Sequence, residues 1–217
     1  MVAPLEAFRQ ERGGGVALRV AYSSGRPRRA PGAGPIVPNA VVGTLIFLGA
    51  EAMFFGGLIS AFLVLRGGNE VWPPVDQPRL PVVVTALNTL LLLFSAYTMR
   101  RAAEGVRRDR VRELQQWLTA TAVLGGIFLS VQGAEWIRLV GYGLSATTST
   151  YGGTFYTLIG WHALHVLGGV IVLLAVLRGA LRGRYSPRAC AAVEACHLYW
   201  LFVVGVWPVL YVLVYLL

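Results

Sequence analysis

Tyr151-Gly152-Gly153-Thr154-Phe155-Tyr156-Thr157-Leu158-Ile159-Gly160-Trp161-His162-Ala163-Leu164-His165-Val166 opens a run with no charged residue before Arg178. The run exceeds the ~20 apolar residues that a helix needs to cross a bilayer. His162 and His165 stand three apart, so on a helix they share a face, one turn above the other. Both imidazoles then lie near mid-membrane depth, where polar groups are costly and usually have a task. This span sets the reading of the rest.

The composition agrees. Of 217 residues, 56% are hydrophobic and 13% charged, against about 25% charge in an average soluble domain. The formal charge of +9 comes entirely from arginine, most of it between the apolar runs. The arginines form no continuous face with interleaved aromatics, so the excess reads as membrane topology and not as nucleic-acid binding. Cys190 and Cys196 match neither a redox pair nor a zinc spacing. They read as small apolar residues at a helix start.

Residues 1–37 are rich in Gly, Pro and Arg and lack an apolar core long enough for a signal peptide. They read as a basic tail against anionic head groups. Residues 38–217 read as an all-α bundle of five membrane helices, with spans at about 38–65, 80–99, 114–139, 151–177 and 189–217. Pro38 suits an opening turn, and Trp207-Pro208 is expected to kink the last span. Gly56-Gly57, Gly125-Gly126 and Gly168-Gly169 are expected to let helices approach closely.

Sixteen of the nineteen arginines fall in the tail, the 100–112 loop and the 178–188 loop. Only Arg66, Arg79 and Arg138 lie on the other side. This asymmetry places the amino terminus in the cytoplasm and the carboxyl terminus on the periplasmic face. Arginines at the cytoplasmic ends are expected to engage phospholipid head groups.

Several polar residues lie within the spans. Glu51 sits ~20 Å along the first helix at 1.5 Å per residue. It has two readings: a protonated or hydrogen-bonded acid that fixes packing, or a lipid-contacting or proton-handling group. Asn88 and Thr89 read as interhelical glue. In the third span, Gln132–Glu135 and Glu135–Arg138 are i,i+3 pairs, the second of which reads as an anchor at a span end.

No catalytic apparatus is visible. His162 and His165 project from one helix and cannot be opposite axial ligands of one haem. Pairing His165 with His197 leaves a depth difference of some ~7 Å. Glu51 with either histidine is too sparse for a metal site. Nucleophile–base, phosphate-loop and dinucleotide patterns are missing. A small proton-coupled transporter using Glu51 and His165 is a second reading, against which stand the lack of inverted repeats and of a broken-helix pair. A haem-b anchor of a dehydrogenase is a third.

Nearly everything after residue 40 resembles subunit III of the haem–copper oxidases, the cytochrome c and quinol oxidase family. The likeness rests on Gly49-Ala50-Glu51-Ala52-Met53-Phe54-Phe55, then Leu87-Asn88-Thr89 with Leu91-Leu92-Leu93 and Ser95. It continues through Leu124-Gly125 with Phe128, Gln132 and Glu135. Tyr151-Gly152-Gly153-Thr154-Phe155-Tyr156 then leads into Gly160-Trp161-His162-Ala163-Leu164-His165-Val166-Leu167-Gly168-Gly169. Glu194, Tyr199-Trp200 and Trp207 complete it.

The resemblance implies a non-catalytic subunit of an aerobic respiratory oxidase. No cofactor is expected in this chain, since the haems and copper of that family belong to subunits I and II. Subunit III packs on subunit I, binds phospholipid and sustains proton uptake. The family's buried, carbodiimide-reactive acid corresponds to Glu51, and its histidine pair to His162 and His165. With Gln132, Glu135, Trp161 and Arg178 they form the candidate lipid-binding or proton-related set.

The chain resembles the short bacterial form that lacks the first two of seven spans. A long subunit I with two extra helices, a subunit II, membrane phospholipids and a larger respiratory supercomplex are the implied partners, in a bacterial plasma membrane. Leu201 and Val204 replace a histidine and an aspartate usual in the family, and Arg100-Arg101 lack the nearby histidines. These departures weaken a proton-antenna role for the fifth span. They also leave a quinol oxidase or nitric-oxide reductase assembly as alternatives.

Overall fold

A computed structural model describes residues 38–74, 80–147 and 149–217. The basic tail and Arg79 lie outside these. Five helices run in order: α1 Asn39–Gly67, α2 Val82–Arg107, α3 Val111–Gly141, α4 Thr150–Leu181 and α5 Ala191–Tyr211, the last continued by a π turn, Val212–Leu216. All five, α5 counted together with its π turn, are long and apolar enough to cross a membrane, and there is no strand among the described residues.

The boundaries differ from the sequence reading chiefly in α2, which continues from Met99 to Arg107. Beyond the apolar run its inner face still has something to cover: Ala102, Ala103 and Val106 are buried, as is Leu114 at the start of α3. The helix therefore ends where packing ends. At the start of α4, Ser149 caps the helix, its Oγ accepting from the Gly152 amide at 3.0 Å. Pro208 stays inside α5, and the helix widens into the π turn four residues later.

Helices α2, α3, α4 and α5 close a ring in which each packs on its neighbours, and α1 leans on α5 and α4. A polar seam joins α5 to α2 in antiparallel register. Trp200 Nε1 donates to Ser95 Oγ at 3.0 Å, Trp207 Nε1 to Thr89 Oγ1 at 2.8 Å, and the Tyr211 hydroxyl to the Val82 carbonyl at 3.2 Å. Asn88 Nδ2 reaches the Phe128 carbonyl at 3.1 Å, and Thr98 meets Thr121 at 2.8 Å, tying α2 to α3. In a bilayer, where burying apolar surface gives no preference for a neighbouring helix over lipid, such bonds and close packing hold helices together.

Close packing centres on Trp200, fully buried. A Cβ at Gly125 would come within 2.6 Å of its ring, and one at Gly169 within 3.1 Å. Only glycine on α3 and α4 leaves that slot. Gly56, Gly57 and Gly126 face open space instead, so no other helix of this chain approaches closely at those three positions.

The buried residues of α1 are Val41, Phe55 and Phe62, which fall on one seven-residue line. Such a narrow seam leaves most of an apolar helix exposed: Ile46, Met53 and Val64 are each more than two-thirds exposed.

Candidate functional site

The seam of α1 against α4 and α5 carries the one acid of α1. Glu51 Oε2 lies 2.8 Å from His165 Nε2, and both side chains are largely buried, at 17% and 12% exposure. The other ring nitrogen, Nδ1, is 2.7 Å from the Trp161 carbonyl one turn earlier on α4. A carbonyl only accepts, so Nδ1 must carry a hydrogen. Nε2 is then left to share one proton with Glu51. The pair is either a carboxylic acid donating to a neutral imidazole or a carboxylate accepting from an imidazolium.

The surroundings hold this pair in place. The Tyr199 hydroxyl on α5 donates to the His165 carbonyl at 3.0 Å. Phe55 lies edge-on to the His165 ring at 5.1 Å, and Phe54 and Trp161 pack nearby. Trp161 itself is half exposed and meets Phe54 at 5.4 Å. Two grooves extend along the seam on either side of the bridge. One, of about 570 Å³, is lined by Thr44, Phe47, Gly168, Val172 and Tyr199. The other, of about 420 Å³, is lined by Leu58, Phe62, Gly153, Thr154 and Leu158.

His162 does not join the bridge. Its ring turns into the bundle, stacks on Trp207 at 4.8 Å and meets Phe128 edge-on at 6.2 Å. It is buried, and neither ring nitrogen has a hydrogen-bond partner among the described residues. Three residues on a helix leave side chains about 60° apart, which is enough here to send one imidazole to α1 and the other to α3 and α5.

The remaining candidates stand elsewhere. Gln132 Nε2 donates to the Tyr215 hydroxyl at 3.3 Å, and buried Glu135 pairs with exposed Arg138 at 3.0 Å. Both lie toward the end where α1 finishes, since Arg66 reaches the carbonyl of Leu213 in the π turn that also holds Tyr215, and that of Leu217 just after it. Arg178 is exposed in the last turn of α4. The opposite end joins the two arginine-rich loops: Arg107 of α2 pairs with Glu194 of α5 at 3.3 Å, and Gln115 Nε2 donates to the Ala180 carbonyl at 3.0 Å.

Sequence reasoning assigned no role to Tyr199. The signal was its place in Tyr199-Trp200 on a span otherwise apolar around it. Val204 is buried in the core and Leu201 is half-buried, so both substitutions are accommodated as packing. Cys190 and Cys196 are free thiols. Burial, then the Glu194 carboxylate, push the Cys190 thiol up, away from the thiolate form. No three His, Cys, Asp or Glu side chains among the described residues are grouped to hold a metal ion.

Comparison with known proteins gives a consistent result. The family model for cytochrome c oxidase subunit III matches residues 36–217. The chain is 36% identical over 178 residues to cytochrome c oxidase subunit 3 of Thermostichus vulcanus, covering 82% of this chain and 87% of the relative. It is 39% identical over 176 residues to the subunit 3 of a Synechocystis species, covering 81% and 74%. A probable cytochrome c oxidase subunit 3 from Nocardia farcinica is 34% identical over 180 residues, covering 82% and 88%.

Proposed function

Because this chain belongs to the cytochrome c oxidase subunit III family, we propose that it is the non-catalytic accessory subunit of an aerobic terminal oxidase. It stabilises the catalytic subunit I, binds phospholipid and supports proton uptake. The observation that carries this reading is the Glu51–His165 bridge at 2.8 Å, midway along α1 and flanked by two apolar grooves. A single shared proton keeps two ionisable groups compatible with the bilayer interior. The grooves offer room for acyl chains along the same seam.

The exposed apolar face of α1 supports packing against lipid or against helices of a long subunit I. Subunit II and a larger respiratory assembly complete the proposed partners. The arginine asymmetry supports a cytoplasmic amino terminus in a bacterial plasma membrane, with residues 1–37 as a basic tail on its inner face. Relatives named as cytochrome c oxidase subunits favour that donor over quinol or nitric-oxide assemblies.

The test is turnover of the purified oxidase with and without this chain. Loss of the chain should leave the initial rate of oxygen reduction largely intact and shorten the active lifetime. An unchanged lifetime would defeat the proposal.

A further inference from the structure

At the end where the arginine-rich loops meet, α2 and one residue of α5 line a half-open cavity of about 450 Å³, bounded by Tyr97, Arg100, Arg101, Glu104, Arg107 and His197. Its volume lies within the roughly 300–1,000 Å³ of ligand clefts. Three guanidiniums and an imidazole face one carboxylate. Glu104 is itself shared between Arg101 at 3.4 Å and Arg108 at 3.9 Å, and Arg107 reaches Glu194 at 3.3 Å. These contacts leave donors unused.

Arg100 has no ion-pair partner among the described residues. Arg101 Nε and His197 Nε2 are buried and have no hydrogen-bond partner among them. The Arg101 guanidinium lies over the Trp117 ring, 5.7 Å from its centroid, which restricts where its fork can point. Arg101 Nε is thus a buried donor without an acceptor, and His197 Nε2 is another in the tautomer that carries its hydrogen there. Such donors are costly, so a site built this way calls for an acceptor-rich anion. A solvated arginine face would leave every guanidinium nitrogen in water.

We propose that this cavity binds a phosphate group, with Arg100 and Arg101 donating to its oxygens and His197 Nε2 completing the set. Arginine forks match phosphate oxygens in pairs, and the positive excess over Glu104 favours an anion. The site is built from residues of α2 and α5, apart from the Glu51 seam. Two sources carry this chemistry: the phosphodiester of an anionic lipid head group and free inorganic phosphate.

The full-length chain, in whatever complex it purifies with, is placed in phosphatidylcholine nanodiscs. Phosphatidylglycerol is then added to the discs in one arm and inorganic phosphate to the buffer in the other. Native mass spectrometry counts retained phosphatidylglycerol, and isothermal titration calorimetry follows phosphate. Arg100→Gln and His197→Gln are compared with wild type and with Arg182→Gln, which alters an exposed arginine outside the cavity.

Binding about tenfold weaker in each of the first two variants, with Arg182→Gln unchanged, is the expected result. The arm in which it appears identifies the source. Arg100 is exposed and unpaired among the described residues, so Arg100→Gln retains the fold, and a melting curve confirms it. Equal binding by wild type and both variants, or no binding of either probe, overturns the proposal.

Discussion

Glu51 and His165 are 114 positions apart in sequence and 2.8 Å apart in the folded chain, joined Oε2 to Nε2. The Trp161 carbonyl fixes the hydrogen on Nδ1, so the contact between α1 and α4 contains one mobile proton and no more. The pair couples a helix held by a thin seam to the rest of the bundle through one hydrogen bond between two ionisable side chains.

Glu51→Gln keeps a donor toward His165 Nε2 and removes the exchangeable acid proton. The bundle should assemble normally, and any infrared carbonyl band of a protonated carboxyl that belongs to Glu51 should vanish. Its activity should fall over successive turnovers while the first turnovers stay near wild type. Failure to assemble would mean that the acid serves packing alone.

His162 makes the opposite forecast. His162→Phe keeps an aromatic ring against Trp207 and deletes two nitrogens that have no partner among the described residues. Melting of the purified protein should be unchanged or higher, because removing an unpaired buried polar group is neutral or stabilising. His165→Phe, by contrast, leaves Glu51 without its base and should lower the melting temperature.

Gly125 and Gly126 are neighbours with different surroundings. Gly125→Ala drives a methyl into Trp200 and should destabilise by about 1–3 kcal/mol. Gly126→Ala meets open space and should stay within about 0.5 kcal/mol of wild type. Denaturant titration of both in one detergent checks the contrast, and equal effects would refute the slot around Trp200.

Trp207→Phe retains the ring stacked on His162 and removes the donor to Thr89. A loss of about 1 kcal/mol is expected, read as a lower melting temperature. Thr89→Val should produce a similar loss, and the double variant should add little, since both remove the same bond.

The spans were legible because twenty or more apolar residues in a row leave few alternatives, and the glycine-flanked loops mark where each stops. The end of α2 was not, since Arg100-Arg101 reads as a membrane border while Ala102, Ala103 and Val106 continue a helix on packing that only the folded chain reveals. In the site, Glu51 and the two histidines stood out as polar groups in apolar runs. Their pairing was hidden: periodicity puts His162 and His165 on one face, and only the positions of α1 and α5 decide which of them meets the acid. Gln132, Glu135 and Arg178 were chosen for their place in a motif or at a helix end, and lie away from the bridge. The arginine cavity escaped notice because its one residue from outside α2 is His197, a residue weighed only as a haem ligand.

The most direct measurement is purification in mild detergent through a tag on this chain, with an absorbance spectrum and mass spectrometry of the product. An accessory subunit brings with it haem absorbance and a large haem–copper subunit in stoichiometric amount. A chain that emerges alone and colourless under conditions that preserve other respiratory complexes would contradict the assignment.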